Sequence, residues 1–238
     1  MMECSSKDVP ELRGFISLVP NCNKDFLVKK FTEARSKAMG TGRTHIVRLM
    51  ETNYFRFEAL FLPDGGFLLS ISTVRGTNNI NLRGAALVKE LANISCCSVQ
   101  NQALFDGISS YLSENKALEA EVYDLEEKEV SIKYEPECNA VSTNEFRTPE
   151  VREGQSWATS DLASTDHLYL KLLGGQAKLV AISTERPQNS IKFATPNRLR
   201  ALCCFAALVW NKLGECQGLL EAINELEAMT STSRKRRK

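Results

Sequence analysis

Two stretches decide how this chain is read: Phe67-Leu68-Leu69-Ser70-Ile71-Ser72-Thr73-Val74-Arg75 and, 111 residues later, Lys178-Leu179-Val180-Ala181-Ile182-Ser183-Thr184-Glu185-Arg186. At this shift Ile71-Ser72-Thr73 meets Ile182-Ser183-Thr184 and Arg75 meets Arg186. Further on, Asn78 meets Asn189, Ile80 meets Ile191 and Leu82 meets Phe193, and Val88, Leu91 and Ile94 meet Leu199, Leu202 and Phe205. After a slip of four residues, Gln102 to Ile108 falls on Gln217 to Ile223. Common periodicity would align apolar positions, but not the Ile-Ser-Thr, Arg and Asn identities at one register. A duplication therefore organises the reading.

Outward from these stretches the elements repeat in order. Tyr54 to Leu62 alternates, with Phe55, Phe57, Ala59 and Phe61 on one face. Pro63-Asp64-Gly65-Gly66 is turn chemistry and predicts a hairpin with the strand at 67–74. A short strand at 79–82 and helices at 84–95 and 101–115 follow. In the second half, 167–173, the turn Gly174-Gly175 and 177–184 form a hairpin, followed by a strand at 190–193. Thr195 as N-cap and Pro196 at the first helical position open a helix to about Leu213, and a last helix spans 216–229. The expected fold is α+β: two related sheet-and-helix units packed as an intramolecular dimer, because a half-sheet backed by its own helix buries one face and leaves the other available. The expected boundaries are a basic helical segment at 1–44, a first unit at 45–115, an acidic linker at 116–160, a second unit at 161–229 and a basic tail at 230–238.

Composition sets the class. The chain has 238 residues, 43% hydrophobic and 25% charged, enough for real cores. No stretch approaches the roughly 18 apolar residues of a membrane span, and the first residues lack the apolar core of a secretory signal. The net charge of +1 conceals an asymmetry, since the five cations Arg234 to Lys238 leave the remainder at −4. Residues 21–50 carry seven cations against Asp25 and Glu33, either a solvated helix face or one turned to nucleic acid. Residues 114–155 carry twelve acidic side chains against five basic ones. The eight cysteines include the adjacent pairs Cys96-Cys97 and Cys203-Cys204 and no C-x-x-C, which reads as reduced thiols in a core; neither a metal site nor a cofactor is expected.

The turn with paired glycines, the strand Phe67 to Ser72, Ile80-Asn81-Leu82 and a helix, and again Lys178 to Thr184, Ile191-Lys192-Phe193 and a helix, resemble the repeat of the Pur-alpha and Whirly families of single-stranded nucleic-acid binders. The likeness covers about 130 residues and rests on order and pattern. It departs from Pur-alpha in lacking a strongly basic body, and from Whirly in lacking its lysine-rich signature. The resemblance implies bases laid over a sheet with cations following the phosphates. The residues placed for this alternate away from the apolar stripes: Tyr54 and Arg56 in the first unit, Tyr169 and Lys171 in the second. Arg75, Arg186 and Lys192 lie at nearby strand ends. Each could equally be part of a solvated strand face.

The tail Arg234-Lys235-Arg236-Arg237-Lys238 reads as a disordered nuclear address for an import receptor, with the protein nuclear and cytoplasmic. Enzyme motifs are absent from the sequence: no Walker loop, no G-x-G-x-x-G, no G-x-S-x-G, and two separate histidines, His45 and His167. The expectation is a non-enzymatic binder of single-stranded DNA or RNA, able to form a homo-oligomer and without a membrane partner. The rival expectation is an assembly, adaptor or viral matrix- or capsid-associated protein acting through protein interfaces.

Overall fold

The computed structural model describes residues 16–17, 23–52, 54–74, 78–113, 141–144, 159–175 and 178–235. The expected helix at 117–127 and strand at 130–134 lie outside them, as do Arg75 and the cations Arg236, Arg237 and Lys238. Among the described residues the architecture is α+β, with five helices and antiparallel strands. The described residues divide into two compact units that do not follow chain order: those within 16–88 together with 208–235, and those within 89–207.

The first of these holds β1 (Ile16–Ser17), α1 (Lys24–Thr41), β2 (His45–Glu51), β3 (Phe55–Phe61), β4 (Phe67–Thr73), β5 (Asn79–Leu82) and all of α5 (Gln217–Lys235). The strands run in sequence order, each antiparallel to the next. Asn23 caps α1, its side chain accepting from the Phe26 amide at 3.1 Å, and Gly42 ends it at φ 66°, a left-handed conformation that suits glycine. Leu27, Phe31, Ala34 and Ala38 form the buried stripe of α1, and the Phe31 ring lies 5.8 Å from that of Phe61 on β3. The helix therefore covers the Phe55/Phe57/Ala59/Phe61 face, where burial of each phenylalanine contributes roughly 1.5–3 kcal/mol. At the hairpin tip Asp64 Oδ1 accepts from the Gly66 amide at 2.8 Å, and Arg35 Nε donates to the Gly65 carbonyl at 2.9 Å, fastening the turn to α1. Helix α5 contacts α1 and β4 and buries Leu219, Ile223 and Leu226.

The second unit holds β6 (Ser142–Thr143), β7 (Thr159–Ser164), β8 (Leu168–Leu173), β9 (Leu179–Thr184), β10 (Ser190–Phe193), α3 (Gln102–Ser113), and most of α2 (Ala85–Gln100) and α4 (Pro196–Glu215). These strands also pair antiparallel in sequence order. Leu168, Leu170, Leu172, Val180, Ile182, Ile191 and Phe193 are buried. Helix α3 contacts β9, and Tyr111 Oη donates to the Leu173 carbonyl at 3.1 Å. Cys96, Cys97, Cys203 and Cys204 are free buried thiols, as expected, with Cys96 Sγ 3.1 Å from Cys203 Sγ. Burial pushes the Cys203 thiol pKa up, reinforced by hydrogen bonds to Cys204 and Cys96. Cys216, by contrast, is disulfide-bonded, against the expectation of reduced cysteines.

Two elements differ from expectation for identifiable reasons. Strand β7 begins at Thr159, inside the stretch expected to be linker, because Thr159-Ser160-Asp161-Leu162-Ala163-Ser164 carries a bulge. The bulge brings Leu162 and Ala163 both into the core, which destroys the alternation that announces a strand. Helix α5 runs to Lys235, past Met229 and through Thr230-Ser231-Thr232-Ser233, so the first two tail cations are helical rather than disordered.

Candidate functional site

In each unit the strand face opposite the apolar stripe carries the candidate side chains in cross-strand rows, and against expectation it is partly covered, with Glu58, Ser70, Ser72, Ala181, Ser183 and Ser190 buried. In the first, the register sets Glu51, Arg56, Ser72 and Asn79 in one row and Arg48, Glu58, Ser70 and Asn81 in the next. Ile46, Leu60 and Leu68 make a third, apolar row, with Ile46 53% exposed. In the second unit the rows are Ser164, Tyr169, Ser183 and Ser190, and then Asp161, Lys171, Ala181 and Lys192.

Arg56, Tyr169, Lys171 and Lys192 thus sit on these faces as expected. Tyr169 is half-buried, and Lys171 Nζ lies 4.8 Å from its ring centroid. Lys192 is exposed on β10, two strands from Lys171. Tyr54 stands in the turn before β3, half-buried, its ring edge-on to Phe55 at 4.7 Å. Arg186 is exposed in the β9–β10 turn, its carbonyl accepting from the Asn189 amide, and is not part of a strand face. Arg234 and Lys235 end α5.

The cations on these faces carry acidic partners that sequence alone did not reveal. Arg56 Nε lies 2.7 Å from Glu51 Oε1, and Arg48 lies 3.5 Å from Glu51 and 3.4 Å from Glu58. Lys171 Nζ lies 3.3 Å from Asp161 Oδ1. Glu51 and Asp161 come from the neighbouring strands β2 and β7, each near a bulge, and Glu58 from β3 faces Arg48 on β2, so finding these pairs requires the register. In the first unit two arginines face two glutamates, and the face is electrically balanced.

A further polar cluster joins α2 to the turn before β8. Thr165 Oγ1 donates to Glu90 Oε2 at 2.6 Å, and His167 Nδ1 lies 3.1 Å from Glu90 Oε1. Among the described residues no group of three His, Cys, Asp or Glu side chains could hold a metal ion, and no helix is long and apolar enough to cross a membrane. No known family model matches the chain, and neither does any curated protein or solved structure.

Proposed function

We propose that the chain is a duplicated, non-enzymatic binder of single-stranded DNA or RNA that uses the strand faces carrying Tyr54 and Arg56 and Tyr169 and Lys171, and that its basic terminus addresses it to the nucleus. The observation that carries the binding reading is the pairing of Lys171 with the Tyr169 ring on a face free of the apolar stripe, with Lys192 two strands away. An aromatic that can stack contributes roughly 1–3 kcal/mol per base, and the cations beside it follow the backbone.

Support for the duplication comes from hydrogen bonds. The bulge between Arg48 and Met50 recurs 113 residues on, between Asp161 and Ala163. Thr52 Oγ1 accepts from the Phe55 amide at 2.8 Å, and Thr165 Oγ1 accepts from the Leu168 amide at 3.1 Å. The Thr73 amide donates to Asn78 and the Thr184 amide to Asn189. Gln102 reaches Asp106 at 2.6 Å, and Gln217 reaches Glu221 at 3.3 Å. The last helix of each copy serves the other copy's strands, α3 contacting β9 and α5 contacting β4, which supports an intramolecular dimer with exchanged helices. This equivalence places Arg56 at the position of Tyr169, and Glu58 at that of Lys171. The aromatic-then-cation pattern therefore recurs on the same face but two residues out of step.

The test is fluorescence anisotropy with a labelled single-stranded oligonucleotide. Tyr169→Ala with Lys171→Ala should weaken binding at least tenfold with little change in Tm, and unchanged affinity removes these residues from the site. A fluorescent fusion lacking residues 234–238 should leave the nucleus; continued nuclear accumulation refutes the import reading. The balanced charge on the first unit's face favours one second reading, a protein–protein interface of complementary charge. A partner protein recovered with the intact face and lost in Arg56→Ala, without oligonucleotide binding, would establish it.

A further inference from the structure

We propose that the outer face of α1 is a second binding surface, a track for the phosphates of a single-stranded nucleic acid, separate from the strand faces; this rests on the nucleic-acid reading above. Lys29, Lys37 and Arg43 are exposed and Lys30 half-exposed, and among the described residues none of the four makes an ion pair. They differ in this from Arg48, Arg56 and Lys171, each held by a carboxylate within 3.5 Å. A cation with no internal partner has nothing to surrender when a phosphate arrives, so it contributes its full share of counterion release.

Helical geometry groups these charges. With Leu27, Phe31, Ala34 and Ala38 turned to the strands, Phe26, Lys30 and Lys37 fall within about 40° of one another around the axis. Lys29 lies beyond them toward the outermost side, and Lys29 to Lys37 spans about 12 Å along the helix. Arg43 continues the line past the Gly42 cap. Asp25 and Glu33 are the acids on this side, against the four cations Lys29, Lys30, Lys37 and Arg43, which leaves a positive surplus of two. Phe26, 47% exposed, places an aromatic ring one helical turn from Lys29 and Lys30. A ring about half exposed and set among these cations suits a stacked base that is unpaired, and so a single strand over a duplex. An anionic membrane is the poorer match, because a membrane-surface helix needs its apolar stripe free and that of α1 is buried. Since α1 covers the Phe57 side of its strands, its outer face and the Arg56 side point to opposite sides of the layer and bind independently.

The experiment measures the full chain against a labelled oligo-dT, a matched duplex and phosphatidylserine vesicles over a salt series, before and after replacing Lys29, Lys30, Lys37 and Arg43 by Gln. Four phosphate contacts contribute about 3 to the slope of log affinity against log salt. The variant should lose that much slope and on the order of a hundredfold in affinity at physiological salt, with Tm unchanged, and Phe26→Ala should weaken the single strand while sparing the duplex. An unchanged slope in a wild type that does bind oligo-dT overturns the α1 track and leaves the strand faces standing. Loss of binding in the α1 variant together with full binding in Tyr169→Ala/Lys171→Ala upholds the track and removes the strand face. Binding of vesicles but not of oligonucleotide, abolished by the four changes, overturns it in favour of lipid, and a wild type that binds neither overturns both readings.

Discussion

Neutralising the acids that hold the strand-face cations should strengthen nucleic-acid binding. The perturbation is Glu51→Gln with Asp161→Asn. Glu51 Oε1 sits 2.7 Å from Arg56 and Asp161 Oδ1 sits 3.3 Å from Lys171, so each wild-type cation must exchange a carboxylate for a phosphate on binding. The amides keep the shape and an acceptor oxygen while removing the charge. For a single strand each phosphate neutralised contributes about 0.7 to the salt slope, which at about 0.15 M salt is roughly fourfold in affinity. Two released cations should therefore give about fifteenfold. The stability cost stays small: the Arg56 and Glu51 side chains are 21% and 25% exposed, and a pair so placed contributes on the order of 1 kcal/mol. The assay is anisotropy with labelled oligo-dT at four salt concentrations, with urea denaturation as the folding control. An affinity that stays level or falls in a folded variant, with the slope unchanged, refutes the placement of phosphates beside Arg56 and Lys171. A fall would favour a partner protein that uses the carboxylates themselves.

Two further predictions concern the frame. Thr52→Val and Thr165→Val each leave a strand amide, Phe55 or Leu168, without its hydroxyl acceptor, and each should cost about 1–2 kcal/mol in urea denaturation, adding to within about 0.5 kcal/mol in the double variant. One costly and one neutral substitution would contradict the equivalence of the two turns. Glu227 on α5 accepts from the Ala85 amide at the start of α2 at 3.0 Å, and burial pushes its pKa up, with that hydrogen bond opposing. A carboxyl whose pKa is raised by folding binds its proton more tightly in the native state, so its contribution is full below the ordinary value of 4.5 and is lost as pH rises through the raised one. Glu227→Gln should therefore flatten the decline of Tm between about pH 4.5 and neutrality, and an identical pH profile would place the titration elsewhere.

The strands nearest the repeat were the most legible. Asn79–Leu82 and Ser190–Phe193 fall where the sequence places them, because each is bounded by turn residues and each Ile packs inward. Helix α1 was legible as a basic helical segment broken at Gly40-Thr41-Gly42, whereas its cap Asn23 and its buried stripe emerge only from the structure. Strand β7 was not, since a bulge moves Leu162 and Ala163 to one side and leaves no period of two. The end of α5 was misjudged for a related reason: Ser and Thr are weak helix formers, but a helix already anchored by Leu219, Ile223 and Leu226 extends through them, and Thr230 Oγ1 donates back to the Glu227 carbonyl at 3.0 Å. For the site, the side of each strand could be read from alternation, but the partner of each cation could not. Glu51 is five residues from Arg56 and Asp161 ten from Lys171, and only the strand register makes either pair neighbours.

Under the duplication proposed above, an exchange of the last helices accounts for compact units that cut across the chain. A half-sheet whose stripe includes Phe55, Phe57 and Phe61 needs more cover than α1 alone, and α5 supplies it through Leu219, Ile223 and Leu226. In the other half α3 plays that part for β9, and no α1 counterpart is described there. A helix that must serve the opposite copy cannot fold usefully with its own, so each copy alone would leave an apolar strand face uncovered. Separated copies should then be soluble only when mixed, a physical reason for keeping both in one polypeptide. Under that proposal the copies share a frame of bulges and turns, while the strand faces opposite the apolar stripes differ in their side chains. Under that duplication Arg56 and Glu58 correspond to Tyr169 and Lys171, so equivalent strand positions carry different chemistry.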